Sequence, residues 1–157
     1  LNPQFSAAQI SRNFYDYKER PQSFKEPSMS YQLNAALTDL EAKGKFVNAA
    51  GNTECVEFVR QACGAPHTTL WKKGANVMDA ATGTITRGTA IATFDEKGHY
   101  PTDAKGKHAA VYLGHGPQGI RVMDQWNKQG QVRERVIFNK KQTFPRVNAA
   151  TSYFIIE

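Results

Sequence analysis

Only two cysteines, Cys55 and Cys63, occur in the 157 residues, too few for the disulfide framework that staples small secreted domains. Read onto one helix, as below, the two lie roughly 12 Å apart, beyond the roughly 7 Å Cα limit for a bridge. Cys55 is therefore expected to be a free thiol. No run approaches the roughly 20 apolar residues of a membrane span, so no membrane insertion is expected. The N-terminus also lacks the basic-then-apolar design of a signal peptide. HExxH, CxxC, Gly-x-Ser-x-Gly and phosphate-loop patterns are all missing. Zinc hydrolysis, serine hydrolysis and nucleotide use are thereby disfavoured, and no cofactor is expected. Internal repeats and low-complexity tracts are absent as well.

The content that is present suits one globular domain over residues 1–157, because 40% hydrophobic and 11% aromatic residues supply a sizeable core. The expected state is a monomer. A net charge of +6 suits an anionic polymer such as cell wall or nucleic acid. The basic residues are scattered, however, with doublets at Lys72-Lys73 and Lys140-Lys141 rather than stripes. With no RNA- or DNA-binding signature, nucleic acid is not the expected partner.

Glu54-Cys55-Val56-Glu57-Phe58-Val59 is the most informative stretch. Asn52 and Thr53 are good N-cap residues, acids follow in the first turn, and Gly64 with Pro66 supplies a stop, so a helix is expected over roughly 53–63. With Asn52 as cap, Cys55 falls near the third helical position, where unpaired N–H groups and the macrodipole favour a thiolate. Cys55, Phe58, Val59 and Ala62 share one inward stripe. Cys63, at the opposite end of the dipole, reads as core. A lone cysteine is more often a small buried hydrophobe than a nucleophile, so further features have to decide.

The deciding segment begins at His108. His-Ala-Ala-Val-Tyr-Leu-Gly, a Gly/Pro cluster and then Ile-Arg-Val-Met-Asp-Gln-Trp read as a hairpin. His108 sits at its open end, and the returning strand passes it at Asp124 or Gln125. Cysteine, histidine and a polar orienter are the parts of an activated-thiol hydrolase. Spacing cannot choose between Asp124 and Gln125, since a one-residue change in turn length flips the face of each. Asp124 is favoured because a carboxylate also stabilises the imidazolium. His67 reads as loop, His99 as polar loop and His115 as hairpin turn. A metal held by His99, Asp103 and His108 is a remote alternative. Trp71, Trp126 and Gln125 are the candidate substrate-binding residues.

Residues 1–50 read as a helical front segment and 51–157 as a catalytic core. The front holds a helix from Ser6 to Glu19 and a better one capped at Ser28 or Ser30, running through Leu33, Leu37 and Leu40 to Gly44. Strands are expected at Thr89–Phe94, His108–Leu113, Ile120–Trp126, Gln131–Phe138 and Thr151–Ile156. Helices followed by a five-stranded antiparallel sheet make an α+β plan.

Glu54-Cys55 with Phe58-Val59 resembles the acidic-Cys-x-x-Phe-Val signature of the NlpC-type papain-like peptidoglycan hydrolases. His108 to Gly114 resembles their His-x-x-Ile/Val-Tyr-hydrophobic-Gly strand, and Gly88 to Phe94 their Gly-Asp-Leu-hydrophobic-Phe strand, with Thr89 in place of the acid. The resemblance covers roughly residues 50–126. It implies a papain-like fold with Cys55 as nucleophile and His108 as base; the family's third position is often His, Asn or Gln, so Asp124 departs from it. Asp124-Gln125-Trp126 and the Gly64 to Trp71 stretch are similar to a branch of the small type VI secretion amidase effectors, which commonly use Cys-His-Asp. That narrower resemblance implies cleavage of an amide in the peptide stem or cross-link of peptidoglycan, action in the periplasm of a rival cell, and a dedicated immunity protein that blocks the cleft. The competing readings are a papain-like protease or acyltransferase acting on protein, and a non-catalytic basic wall- or nucleic-acid-binding module with Cys55 in its core.

Overall fold

Six antiparallel strands and two α-helices carry the fold in a computed structural model that describes residues 29–140 and 145–157. The helices are α1 (Leu37–Lys43) and α2 (Cys55–Cys63), and the strands are β1 (Lys73–Asn76), β2 (Ala90–Thr93), β3 (Ala109–Gly116), β4 (Gly119–Asp124), β5 (Arg133–Phe138) and β6 (Tyr153–Ile156). Their order across the sheet is β1-β6-β2-β3-β4-β5. The α+β plan expected from the sequence is present, but the sheet has six strands rather than five. The missed strand, β1, reads Lys-Gly-Ala-Asn, with neither the β-branched residues nor the alternation that mark a strand. Its pairing to β6 depends on Gly74, where a Cβ would stand 2.7 Å from the Ile155 carbonyl.

The front segment is also less helical than expected. The helix foreseen from Ser6 to Glu19 lies outside the described residues. The second begins only at Leu37, because the chain before it is taken up by the sheet. Leu33 N–H donates to the Gly88 carbonyl at 2.9 Å, Ala90 N–H donates to the Tyr31 carbonyl at 2.7 Å, and Gln32 bridges to Thr89. Those bonds occupy backbone groups that a helix would need. Gly44 ends α1 as expected, at φ 78°.

Strand alternation divides the buried residues between the two faces of the sheet. Ala90, Ala92, Ala109 and Val111 face α2 and join Phe58, Val59, Ala62, Leu40 and Phe46 in one core. The small side chain of Ala109 leaves room for the helix to lie close on β3. Ile91, Ala110, Tyr112, Ile120 and Val122 pack on the opposite face with Val77, Ile137, Ala150 and Tyr153. Phe58 and Val59 are fully buried and Cys55 half-buried, so the stripe read from the sequence does reach the surface at its N-terminal end. Gly64 closes α2 in the left-handed region at φ 68°.

Candidate active site

The start of α2 is set by tertiary contacts rather than by the expected caps. Asn52 lies in a turn held by the Asn48 side chain, whose Oδ1 accepts from the Ala50 and Asn52 N–H groups, each at 3.0 Å. Thr53 donates its hydroxyl to the Trp126 carbonyl at 3.4 Å. Glu54 therefore becomes the N-cap, without a side-chain bond, and Cys55 is the first helical residue instead of the third. At that position the N–H groups of Cys55 and Val56 have no acceptor within the helix.

His108 precedes β3, and its backbone is fixed from both sides by Thr93. The Thr93 hydroxyl accepts from His108 N–H at 3.0 Å, and Thr93 N–H donates to the His108 carbonyl at 3.0 Å. On the ring, Nε2 donates to Asp124 Oδ2 at 2.7 Å. Asp124 is fully buried, and the same oxygen accepts Arg135 Nε at 2.8 Å. The other Arg135 nitrogen lies 2.8 Å from that oxygen and 3.4 Å from His108 Nε2. With Nε2 committed to Asp124, Nδ1 is the nitrogen left for Cys55, to which His108 is coupled electrostatically.

The electrostatics follow from these contacts. Burial works to raise the Cys55 pKa, but the hydrogen bond and charge of His108, the Tyr100 hydroxyl and the Ala109 N–H together outweigh it, and the thiol is held below its ordinary value. For His108 burial pulls downward, and the bonds and charges of Asp124 and Cys55 overcome it, raising the imidazole to about 9. Asp124 is depressed, since His108 and then Arg135 outweigh the cost of its burial. The three groups thus favour a thiolate, an imidazolium and a carboxylate. Cys63 is the counterexample on the same helix: with no such partners, burial pushes its thiol up to about 12.

Cys55 and His108 open onto a cleft of about 1200 Å³. Trp71 and Trp126 line it, as do Tyr100 and Lys107 from the 95–107 loop. Gln125 does not. It is fully buried and turned toward the helical side, where its Nε2 donates to the carbonyls of Phe46 at 2.6 Å and Glu54 at 2.9 Å. His67 and His99 are exposed and also line the cleft. His115 is part of β3 rather than the turn, and its ring is fixed between the Tyr112 hydroxyl at 2.7 Å and the Ala80 carbonyl at 2.8 Å. Among the described residues no three His, Cys, Asp or Glu side chains are grouped to hold a metal ion. Asp103 pairs with Arg146, while His99 faces Asp95.

Over residues 28–156 the chain matches the family model described as Domesticated amidase effector 2. The chain belongs to the amidase effector 2 family. It is 35% identical over 138 residues to the Type VI secretion amidase effector 2 protein of Salmonella typhi, covering 81% of this chain and 97% of that one. The Domesticated amidase effector 2 of the tick Ixodes scapularis is 32% identical over 116 residues, covering 72% of this chain and 78% of its own. Among solved structures, Type 6 secretion amidase effector 2 (Tae2) superposes with a TM-score of 0.65 at 29% identity, over 78% of this chain and 94% of that chain. Membership of a family named for amidases implies a hydrolase.

Two residues that sequence reasoning missed stand beside the cysteine and the carboxylate. Tyr100 places its hydroxyl 3.6 Å from Cys55 Sγ and its ring edge-on to Trp71, with centroids 5.0 Å apart. Nothing in the loop around it signals that contact. Arg135 had a signal: the antiparallel register sets Asp124 opposite Arg133, which makes Arg135 its diagonal neighbour.

Proposed function

We propose that the protein is a cysteine amidase or endopeptidase of papain-like design that hydrolyses an amide in the peptide stem or cross-link of bacterial peptidoglycan. The observation that carries this reading is a lowered-pKa thiol beside a raised-pKa imidazole, backed by a buried carboxylate, on the wall of a cleft large enough for a peptide. A core cysteine in a binding module needs none of these. The names of the relatives in the amidase effector 2 family support the amide bond, and the type VI secretion amidase of Salmonella typhi supports an antibacterial effector acting in the periplasm of a target cell. An immunity protein that covers the cleft is the matching partner.

In the proposed reaction the Cys55 thiolate attacks the scissile carbonyl, forming the carbon–sulfur bond. The N–H groups of Cys55 and Val56, free at the helix start, are placed to receive the oxyanion. His108 gives its proton to the leaving nitrogen as the carbon–nitrogen bond breaks, which leaves a thioester. Water then attacks that carbonyl, His108 takes up its proton, and the acid departs with the thiolate restored. Asp124 keeps the imidazole in one tautomer and balances its charge throughout.

Digestion of purified peptidoglycan, with mass analysis of the fragments, tests this. New amine and carboxyl ends in the peptide are expected, and Cys55→Ala should release none while keeping the wild-type fold. Turnover in that variant, or equal cleavage of casein and muropeptides by the wild type, would reject the reading.

A further inference from the structure

We infer that Gln125 is a positioning residue that sets the distance between Cys55 and His108 by tying the first turn of the cysteine helix to the end of β4. This inference rests on the reading of Cys55 as nucleophile. Asp124 and Gln125 are consecutive, so their side chains leave the strand on opposite faces. Asp124 goes to His108, and Gln125 goes to the helical side. There its amide is fully engaged in the chain: Oε1 accepts Phe46 N–H at 3.0 Å, and Nε2 donates to the Phe46 and Glu54 carbonyls. Glu54 is the N-cap of α2 and the residue immediately before Cys55.

One dipeptide therefore holds both partners, the base through Asp124 and the nucleophile through Gln125. The residues on either side reinforce it, because Thr53 donates to the carbonyl of Trp126. The cap itself supplies no side-chain bond to fix the helix start, so the Gln125 amide replaces it with a link to the strand that carries the orienting carboxylate. A fully buried glutamine among apolar residues also needs these three bonds for its own sake. What distinguishes positioning from simple satisfaction is that two of the acceptors and donors belong to Phe46 and the third to the residue beside the thiol.

The test is Gln125→Met, which keeps the length and removes all three bonds, read by alkylation of Cys55 with iodoacetamide across pH. The wild type should alkylate with a thiolate onset below that of an ordinary thiol. In Gln125→Met the onset should move upward, and kcat on purified peptidoglycan should fall by about 10²-fold with KM little changed, as expected for a misplacement near 1 Å. Ile120→Val, a core change on the opposite face of the sheet, serves as the stability control and should leave the onset where it is. Should Gln125→Met fail to fold, Gln125→Asn, too short to reach Phe46 and Glu54 together, is read in the same way. A folded Gln125 variant with wild-type onset and kcat overturns the inference. A wild type that alkylates no faster than a free thiol overturns instead the assignment of Cys55 as nucleophile.

Discussion

His108 Nε2 and Asp124 Oδ2 lie 2.7 Å apart with the carboxylate fully buried, and that one oxygen also receives Arg135. Its partner, Oδ1, has no hydrogen bond among the described residues. The charge of Asp124 is therefore concentrated on the side that faces the histidine. A carboxylate shared evenly between its oxygens would allow the ring to swing. Here the ring is held with Nε2 on the carboxylate, so that nitrogen keeps its proton whether the imidazole is charged or neutral, and Nδ1 is the one left to exchange a proton with the thiol.

Asp124→Asn removes the charge while keeping the shape. Burial, the largest influence on His108, pulls its pKa down, and Asp124 is the first of the groups that oppose it. Without the anion, and with the Arg135 guanidinium still adjacent, the imidazole should fall below about 9. The expected outcome is a kcat reduced by at least about 10²-fold, with the alkaline limb of kcat/KM moved to lower pH. A pH–rate profile of the variant checks both.

For the wild type, kcat/KM should rise as Cys55 deprotonates and fall again near about 9, where His108 loses the proton that the leaving amine requires. The sign of each limb follows from the protonation state that the step needs, and its position from the direction of the shift. Alkylation separates them, since it reports the thiolate alone. In His108→Ala the influences that lower the Cys55 pKa are reduced to Tyr100 and Ala109, while burial still raises it. The thiolate onset of that variant should therefore move upward, and an unchanged onset would mean that the two side chains are uncoupled in solution.

The choice between Asp124 and Gln125 shows how far the sequence could be read. Near the turn Gly114 pairs with Arg121 and Gly116 with Gly119, but beyond an irregularity between Tyr112 and Gly114 the pairs become Tyr112 with Val122 and Val111 with Met123. That bulge shifts the register by one residue. It carries Asp124 to the side of Tyr112, Ala110 and His108, and turns Gln125 to the other. A bulge has no dependable mark in sequence, so the composition of the hairpin was legible and its parity was not. Cys55, Phe58, Val59 and His108 were legible because helix and strand periodicity places them with little outside help. The caps of α2 and the start of α1 were not, since long-range bonds from Trp126 and Gly88 override local preference. Tyr100 comes from a loop whose path only the packed molecule defines.

Gly119 opens β4 with φ 143°, and a Cβ there would collide with the Ile137 carbonyl. Because that carbonyl belongs to β5, Gly119→Ala strains the β4–β5 pairing that also holds Arg135 beside Asp124. A loss of at least about 3 kcal/mol is expected, in the range reserved for backbone strain with steric conflict. Gly64→Ala is the comparison: its φ of 68° carries a left-handed penalty of about 1–2 kcal/mol, but no atom lies within 4 Å of the added carbon. Denaturant melts of the two variants should rank them in that order.

Tyr100→Phe isolates the hydroxyl that faces the sulfur at 3.6 Å. Burial and the nearby Cys55 push the phenol pKa well up, so the group remains a neutral donor over the whole working range. A donor to a thiolate lowers the thiol pKa, as Tyr100 does here after His108. Its removal should raise the thiolate onset modestly and reduce kcat/KM by about 10-fold or less, because a long bond to sulfur is weaker than the roughly 1.5–3 kcal/mol of a good bond to a charge. The ring keeps its edge contact with Trp71, so thermal stability should change little. A large loss of activity with an unmoved onset would place the hydroxyl on the substrate instead, since a group that contacts only the transition state lowers kcat without altering the resting thiolate.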